Sequence, residues 1–169
     1  MALYPEENGY YALSIENDDN IIFDLHETFH KNGVSILCDA DFVIKDDDSQ
    51  IIILEYKNGT VGRAAEYASF KPSDDKYIQK VARKFYDTMM CLNHMGYLKP
   101  MKYVYVLEFP NDDPAIRKFV RNKISMLLPF KLQQESRIKY HLIESFEVLS
   151  ISEWNEKYPL YQLIPLNEK

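Results

Sequence analysis

Asp39-Ala40-Asp41-Phe42-Val43-Ile44-Lys45 and Ile51-Ile52-Ile53-Leu54-Glu55-Tyr56-Lys57, separated by Asp46-Asp47-Asp48-Ser49-Gln50, decide the fold of this chain. The first run belongs to an alternating, β-rich stretch over 36–45, and the second is rich in β-branched side chains. Two such runs around a short polar cluster predict an antiparallel hairpin. Four consecutive aliphatic residues, Ile51 to Leu54, predict a strand buried on both faces, as at the centre of a sheet.

After the hairpin the period changes. From Ser73 onward, Ile78, Val81, Ala82, Phe85, Met89 and Leu92 trace one face of a long helix that Gly96 ends. Residues 102–109 alternate again as a strand. Asp113-Pro114 then supplies an N-cap and a proline at the first helical position. Ile116, Phe119, Val120, Ile124 and Leu127 predict the inner face of that helix, and Pro129 its end. A strand over 141–150 and a short helical turn over 152–156 follow. Before the hairpin, 10–15 reads as an edge strand. Residues 21–32 read as a helix between an Asn20 cap and a Gly33 stop, although Ile21, Phe23 and Leu25 also alternate as a strand would. The expected class is α/β, with a mixed sheet between helices in one domain over 1–169.

The hairpin also carries the chemistry. Symmetry about Asp48 places Lys45 opposite Ile51, Val43 opposite Ile53, Asp41 opposite Glu55 and Asp39 opposite Lys57. Residues 39, 41, 55 and 57 then share one face at one end of the hairpin. Carboxylates directly opposed in a sheet repel, so a cation is expected between Asp41 and Glu55. Two carboxylates suit an oxygen-preferring divalent ion, Mg²⁺ or Mn²⁺, that keeps waters for a substrate phosphate. A lysine beside them, here Lys57, would stabilise a phosphoryl oxygen or assist the attacking hydroxide. Acid, acid, lysine and divalent metal together are the requirements of phosphodiester hydrolysis.

The arrangement resembles the PD-(D/E)xK phosphodiesterase superfamily, the restriction-endonuclease-like fold of many nucleases. The resemblance is carried by Asp41-Phe42-Val43-Ile44 and, fourteen residues on, Glu55-Tyr56-Lys57, and it covers about 20–109, with 110–169 as a C-terminal helix and strand extension. The proline of the family name is missing, since Ala40 precedes Asp41 and Cys38 precedes Asp39. Asp41 is the preferred ligand and Asp39 the alternate. The resemblance implies a three-layer core, Mg²⁺ or Mn²⁺ as cofactor, and a nucleic-acid substrate, DNA before RNA. It implies that a glutamate of the leading helix, here Glu27, completes the metal site. It also implies that the helix after the second strand offers side chains to the site or the nucleic-acid backbone. Lys80, Lys84, Arg83 and Gln79 stand away from that helix's apolar stripe, with Lys80 preferred. Specificity would come from loops, a homodimer or a partner protein. The competing expectation is a nuclease-fold binding module with weak or absent catalysis.

Composition narrows the remaining classes. Apolar residues make 46% of the 169 and charged residues 27%, with only 5 glycines, which excludes a disordered or linker-dominated chain. Two cysteines, Cys38 and Cys91, cannot build a disulfide framework, and a reducing compartment is expected. Residues 1–7 lack a basic start and an apolar core, and the longest aliphatic run cannot cross a bilayer, so a cytoplasmic protein off the membrane is expected. The net charge of −6 conceals a split: residues 1–56 carry 13 acidic and 2 basic side chains, residues 57–103 carry 4 and 9. His26 and His30 lack the third ligand of a zinc motif, 58–63 lacks a P-loop lysine, and no serine sits in a nucleophile elbow.

Overall fold

The hairpin forms in the predicted register: Phe42 pairs with Leu54, Val43 with Ile53, Ile44 with Ile52 and Lys45 with Ile51. The computed structural model describes residues 1–22, 25–46, 50–62 and 70–166; the centre of the hairpin turn, 47–49, lies outside them. In chain order the elements are β1 (Ala2–Pro5), β2 (Tyr11–Ile15), β3 (Ile21–Ile22), α1 (Leu25–Lys31), β4 (Phe42–Lys45), β5 (Ile51–Asn58), α2 (Asp75–His94), β6 (Met101–Glu108), α3 (Pro114–Leu127), β7 (Ile143–Leu149), α4 (Ile151–Lys157) and β8 (Tyr161–Pro165).

Five strands form a mixed sheet in the order β3-β4-β5-β6-β7, antiparallel through β5 and parallel from β5 to β7. β5 is central and buried on both faces, as its aliphatic run predicts. Ile51 and Ile53 pack with α1, α2 and α3 through Leu25, Phe29, Ile78, Val81, Phe85, Val120 and Ile124. Ile52, Leu54 and Tyr56 pack on the other face against Leu13, Trp154 and Leu163. That second face is covered by α4 and by a three-stranded antiparallel sheet in the order β1-β2-β8. The architecture is therefore α/β, with a central mixed sheet between two covering layers. Among the described residues no helix is long and apolar enough to cross a membrane.

Several expectations need correction. The helix expected over 21–32 is shorter, because Ile21 and Ile22 pair with Ile44 and Val43 as a sheet edge. It stops where expected: Gly33 takes a φ of 73°, its N–H meets the His30 carbonyl and the Val34 N–H meets that of Phe29, a Schellman closure. The first hairpin strand begins at Phe42 rather than at 36. The Ala40 N–H donates instead to the Thr88 hydroxyl at 2.9 Å, and the Cys38 N–H to the Asp87 carboxylate at 2.9 Å, both on α2. The stretch 10–15 is not an edge, since β2 lies between β1 and β8. Phe119 and Leu127 are exposed on α3, whose inner face is Val120 and Ile124.

The fold positions the site through its two parallel crossovers. α2 and α3 each follow a strand's C-terminal end, so both helix N-termini return to the same edge of the sheet. Open α/β sheets bind ligands outside that carboxyl edge, where the positive helix ends converge.

Candidate active site

β5 reaches the carboxyl edge with Glu55-Tyr56-Lys57, while the shorter, antiparallel β4 begins one residue after Asp41. Beyond the last paired residues of the hairpin, Phe42 and Leu54, Asp41 Oδ2 accepts the Tyr56 N–H at 2.7 Å. The last rung of the hairpin is thus made by a side chain. That contact turns the Asp41 carboxylate toward Glu55, whose own carboxylate is buried beneath α2.

An ammonium group lies between the two carboxylates. Lys84 Nζ lies 2.8 Å from both Glu55 oxygens and 3.3 Å from Asp41 Oδ1. Two carboxylates share one ammonium, so the fully ionised cluster carries one excess negative charge. Burial, and next the Asp41 charge, push Glu55 up to about 8 despite Lys84. Burial raises Asp41 as well, against the opposing pull of Lys84 and the Tyr56 N–H. For Lys84, burial alone would favour the neutral amine, but the two carboxylates outweigh it and hold the ammonium above the ordinary lysine value.

A pH dependence follows from Glu55. Its folded-state affinity for a proton exceeds the unfolded one, so the stability it contributes is complete below about pH 4.5 and lost progressively as pH rises to about 8. Lys84 stays charged in both states across that window and adds no slope. Metal-free protein should therefore require less urea to unfold at pH 8.5 than at pH 5.5, by a stability difference of roughly 2–4 kcal/mol. A midpoint that is flat or rises over this range would contradict the assignment.

Of the expected site residues, the structure brings Asp41, Glu55, Lys57, Lys80 and Lys84 to one cleft of about 410 Å³, closed on another side by Glu6, Asn8 and Tyr10. Lys57 lines it beside the carboxylates, its ammonium 5.7 Å from the Phe70 ring centre. Lys80, the preferred basic residue, is exposed at the rim, and Lys84 one turn later makes the contacts. Arg83 turns away to Asp87 and the Ile36 carbonyl. Gln79 is exposed and lines neither this cleft nor the one beside it.

Asp39 does not face Lys57. It meets His26 Nδ1 at 3.2 Å in an adjoining cleft that also holds Glu27, Cys38 and Asp41. Glu27 pairs with Lys31 at 2.6 Å, which lowers its pKa. Among the described residues no three His, Cys, Asp or Glu side chains are grouped to hold a metal ion.

Sequence reading missed Glu6. Its buried carboxylate accepts the N–H groups of Asn8 and Tyr10, each at 2.8 Å, and so shapes the β1–β2 turn that walls the cleft. Tyr10 in turn lies over Gly62, at a φ of 57°, where an added Cβ would come within 2.5 Å of the phenol oxygen. The signal was a glutamate followed by Asn8-Gly9 between two short strands.

The donor set fits a hard divalent ion by its chemistry. Mg²⁺ and Mn²⁺ commonly take one or two carboxylates and complete their shell with water and substrate. Asp41 and Glu55 supply two, and the Lys84 contacts show that the pair attracts positive charge. Such an ion would have to compete with the ammonium. No protein-family model, curated protein or solved structure matches this chain.

Proposed function

We propose that the protein is a divalent-metal-dependent phosphodiesterase acting on nucleic acid, DNA foremost, with Asp41 and Glu55 as metal ligands. The reading keeps the PD-(D/E)xK resemblance as its frame. One observation carries it: the buried Glu55 carboxylate of β5 and the partly buried Asp41 carboxylate, one residue before β4, converge on a single ammonium in a cleft at the carboxyl edge of the parallel strands. One buried and one partly buried acid sharing one ammonium do not maximise stability, since desolvation is incompletely repaid. An arrangement of that cost is expected where ligand binding supplies the rest.

When bound, Mg²⁺ or Mn²⁺ supplies Lewis-acid stabilisation of phosphoryl charge and makes water more acidic. Asp41 and Glu55 would hold the ion, Asp41 oriented by the Tyr56 N–H. Lys84 is the ammonium on the carboxylates, Lys80 is the next cation acting on Glu55 and Lys57 lines the same cleft; these groups would carry charge that develops on the phosphoryl oxygens. The Glu6–Tyr10 turn limits water access from one side and shapes the entrance.

A second reading rests on the same ammonium: Lys84 fills the place of the metal, and the chain is a binding module without catalysis. Calorimetry separates the two. Mn²⁺ titrated into the purified chain should give a saturable heat that Asp41→Asn weakens at least tenfold, about 1.4 kcal/mol. The wild-type chain with Mn²⁺ should nick plasmid DNA or cut single-stranded DNA. Absence of both heat and cleavage would leave the module reading in its place.

A further inference from the structure

A second cleft, of about 540 Å³, opens on the same edge of the sheet, between α3 and the start of α4. It is lined by Arg117, Lys118 and Arg121 together with Ser150 and Ser152. Arg117 is structural: it donates to the Leu107 carbonyl at 2.9 Å, pairs with Asp112 and lies over the Phe109 ring. The acids at this edge are engaged within the fold. Asp112 holds Arg117, Asp113 caps the Ala115 N–H at 2.8 Å, Glu108 accepts the Ile151 N–H at 2.6 Å, and Glu153 closes the capping box on Ser150. Lys118 and Arg121 are exposed and form no ion pair among the described residues. Like charges at i, i+3, with Arg117 a turn before Arg121, are mildly unfavourable unless an anion lies between them.

Strand register relates this cleft to the first. Glu55 pairs with Tyr105 across β5 and β6, and Tyr105 with Val148 across β6 and β7. Val148 lines the second cleft and Glu55 the first, in one row and on the helix-covered face of the sheet. Two strand spacings separate them, about 10 Å at the backbone. At about 3.4 Å of rise per stacked nucleotide, that is the span of about three nucleotides.

Resting on the phosphodiesterase reading, we infer that Lys118 and Arg121 form a phosphate-binding subsite for the nucleic-acid strand whose scissile phosphate lies at Asp41 and Glu55. The substrate is then a strand long enough to reach both clefts, and not a mononucleotide or a small phosphate ester. Ser150 and Ser152, which line the same cleft, offer hydroxyl groups to the same phosphate.

The test is binding in EDTA, where no cleavage occurs, using fluorescein-labelled single-stranded DNA of 12 and of 2 nucleotides at graded salt. Lys118→Glu/Arg121→Glu should weaken the 12-mer at least tenfold at low salt and reduce the log–log salt slope by about 1.4, two contacts at about 0.7 each. The dinucleotide, which cannot span both clefts, should lose less than threefold. Lys123→Glu is the control, a same-helix charge that lies over Phe119 at 5.5 Å and lines neither cleft. Equal loss for Lys118→Glu and Lys123→Glu, or no loss on the 12-mer, overturns the subsite. The phosphodiesterase reading fails separately, by absence of Mn²⁺ heat at Asp41 and Glu55.

Discussion

Glu55→Gln is expected to lower Mn²⁺-dependent cleavage by on the order of 10³-fold while making the metal-free protein more stable at pH 8.5. The two effects have one origin. In the wild type, Glu55 is buried, faces Asp41 and shares Lys84 with it, and its affinity for a proton is raised to about 8. Above that pH the cluster holds an uncompensated negative charge, which a divalent ion would neutralise and the metal-free protein must tolerate. Glutamine keeps the shape and an acceptor for Lys84 but removes the excess charge, leaving Asp41 and Lys84 as a matched pair. The gain at pH 8.5 should be about 1–3 kcal/mol by urea unfolding and should shrink below pH 5, where wild-type Glu55 is already neutral. If the variant cleaves like wild type, Glu55 is not a ligand. If it is less stable at pH 8.5, the excess-charge account is wrong.

Lys84→Met should act in the opposite sense. Its ammonium is the counter-charge for the buried Glu55 and the partly buried Asp41, and removing one partner of a buried ionic cluster costs about 3–5 kcal/mol. Methionine keeps much of the packing beneath α2, so the loss reports charge. The cost should be largest at pH 8.5 and smaller at pH 5, as Glu55 takes up a proton. Mn²⁺ should raise the variant's Tm more than that of the wild type, because no ammonium competes for the carboxylates. Equal stability of the two proteins at pH 8.5 would show that the cluster does not depend on Lys84. Equal Mn²⁺ shifts would show that the ion goes elsewhere.

The hairpin was legible because its signals are local. A polar turn of five residues between two β-rich runs sets the register, and the aliphatic run of β5 announces burial on both faces. α2 was legible for the same reason, through the spacing of Ile78, Val81, Phe85 and Leu92. β1 and β8 were not read as strands, because a few residues at each end of the chain become strands only by pairing with β2. The choice of Lys84 over Lys57 and Lys80 also lay beyond local pattern. Side chains on one helix face are chosen by the angle at which that helix crosses the sheet, and no spacing within 75–94 encodes it. Asp39 was misplaced because Cys38 and Ala40 leave the strand for acceptors on α2 nearly fifty residues away.

Those two acceptors have a mechanical consequence. Asp87 and Thr88 fix the segment leading into Asp41, and Lys84 projects from the preceding turn of the same helix. One rigid rod therefore gauges the position of a carboxylate and of the cation that meets it. Glu55 is rooted in the central strand, and the Tyr56 N–H of that strand holds Asp41 from the other side.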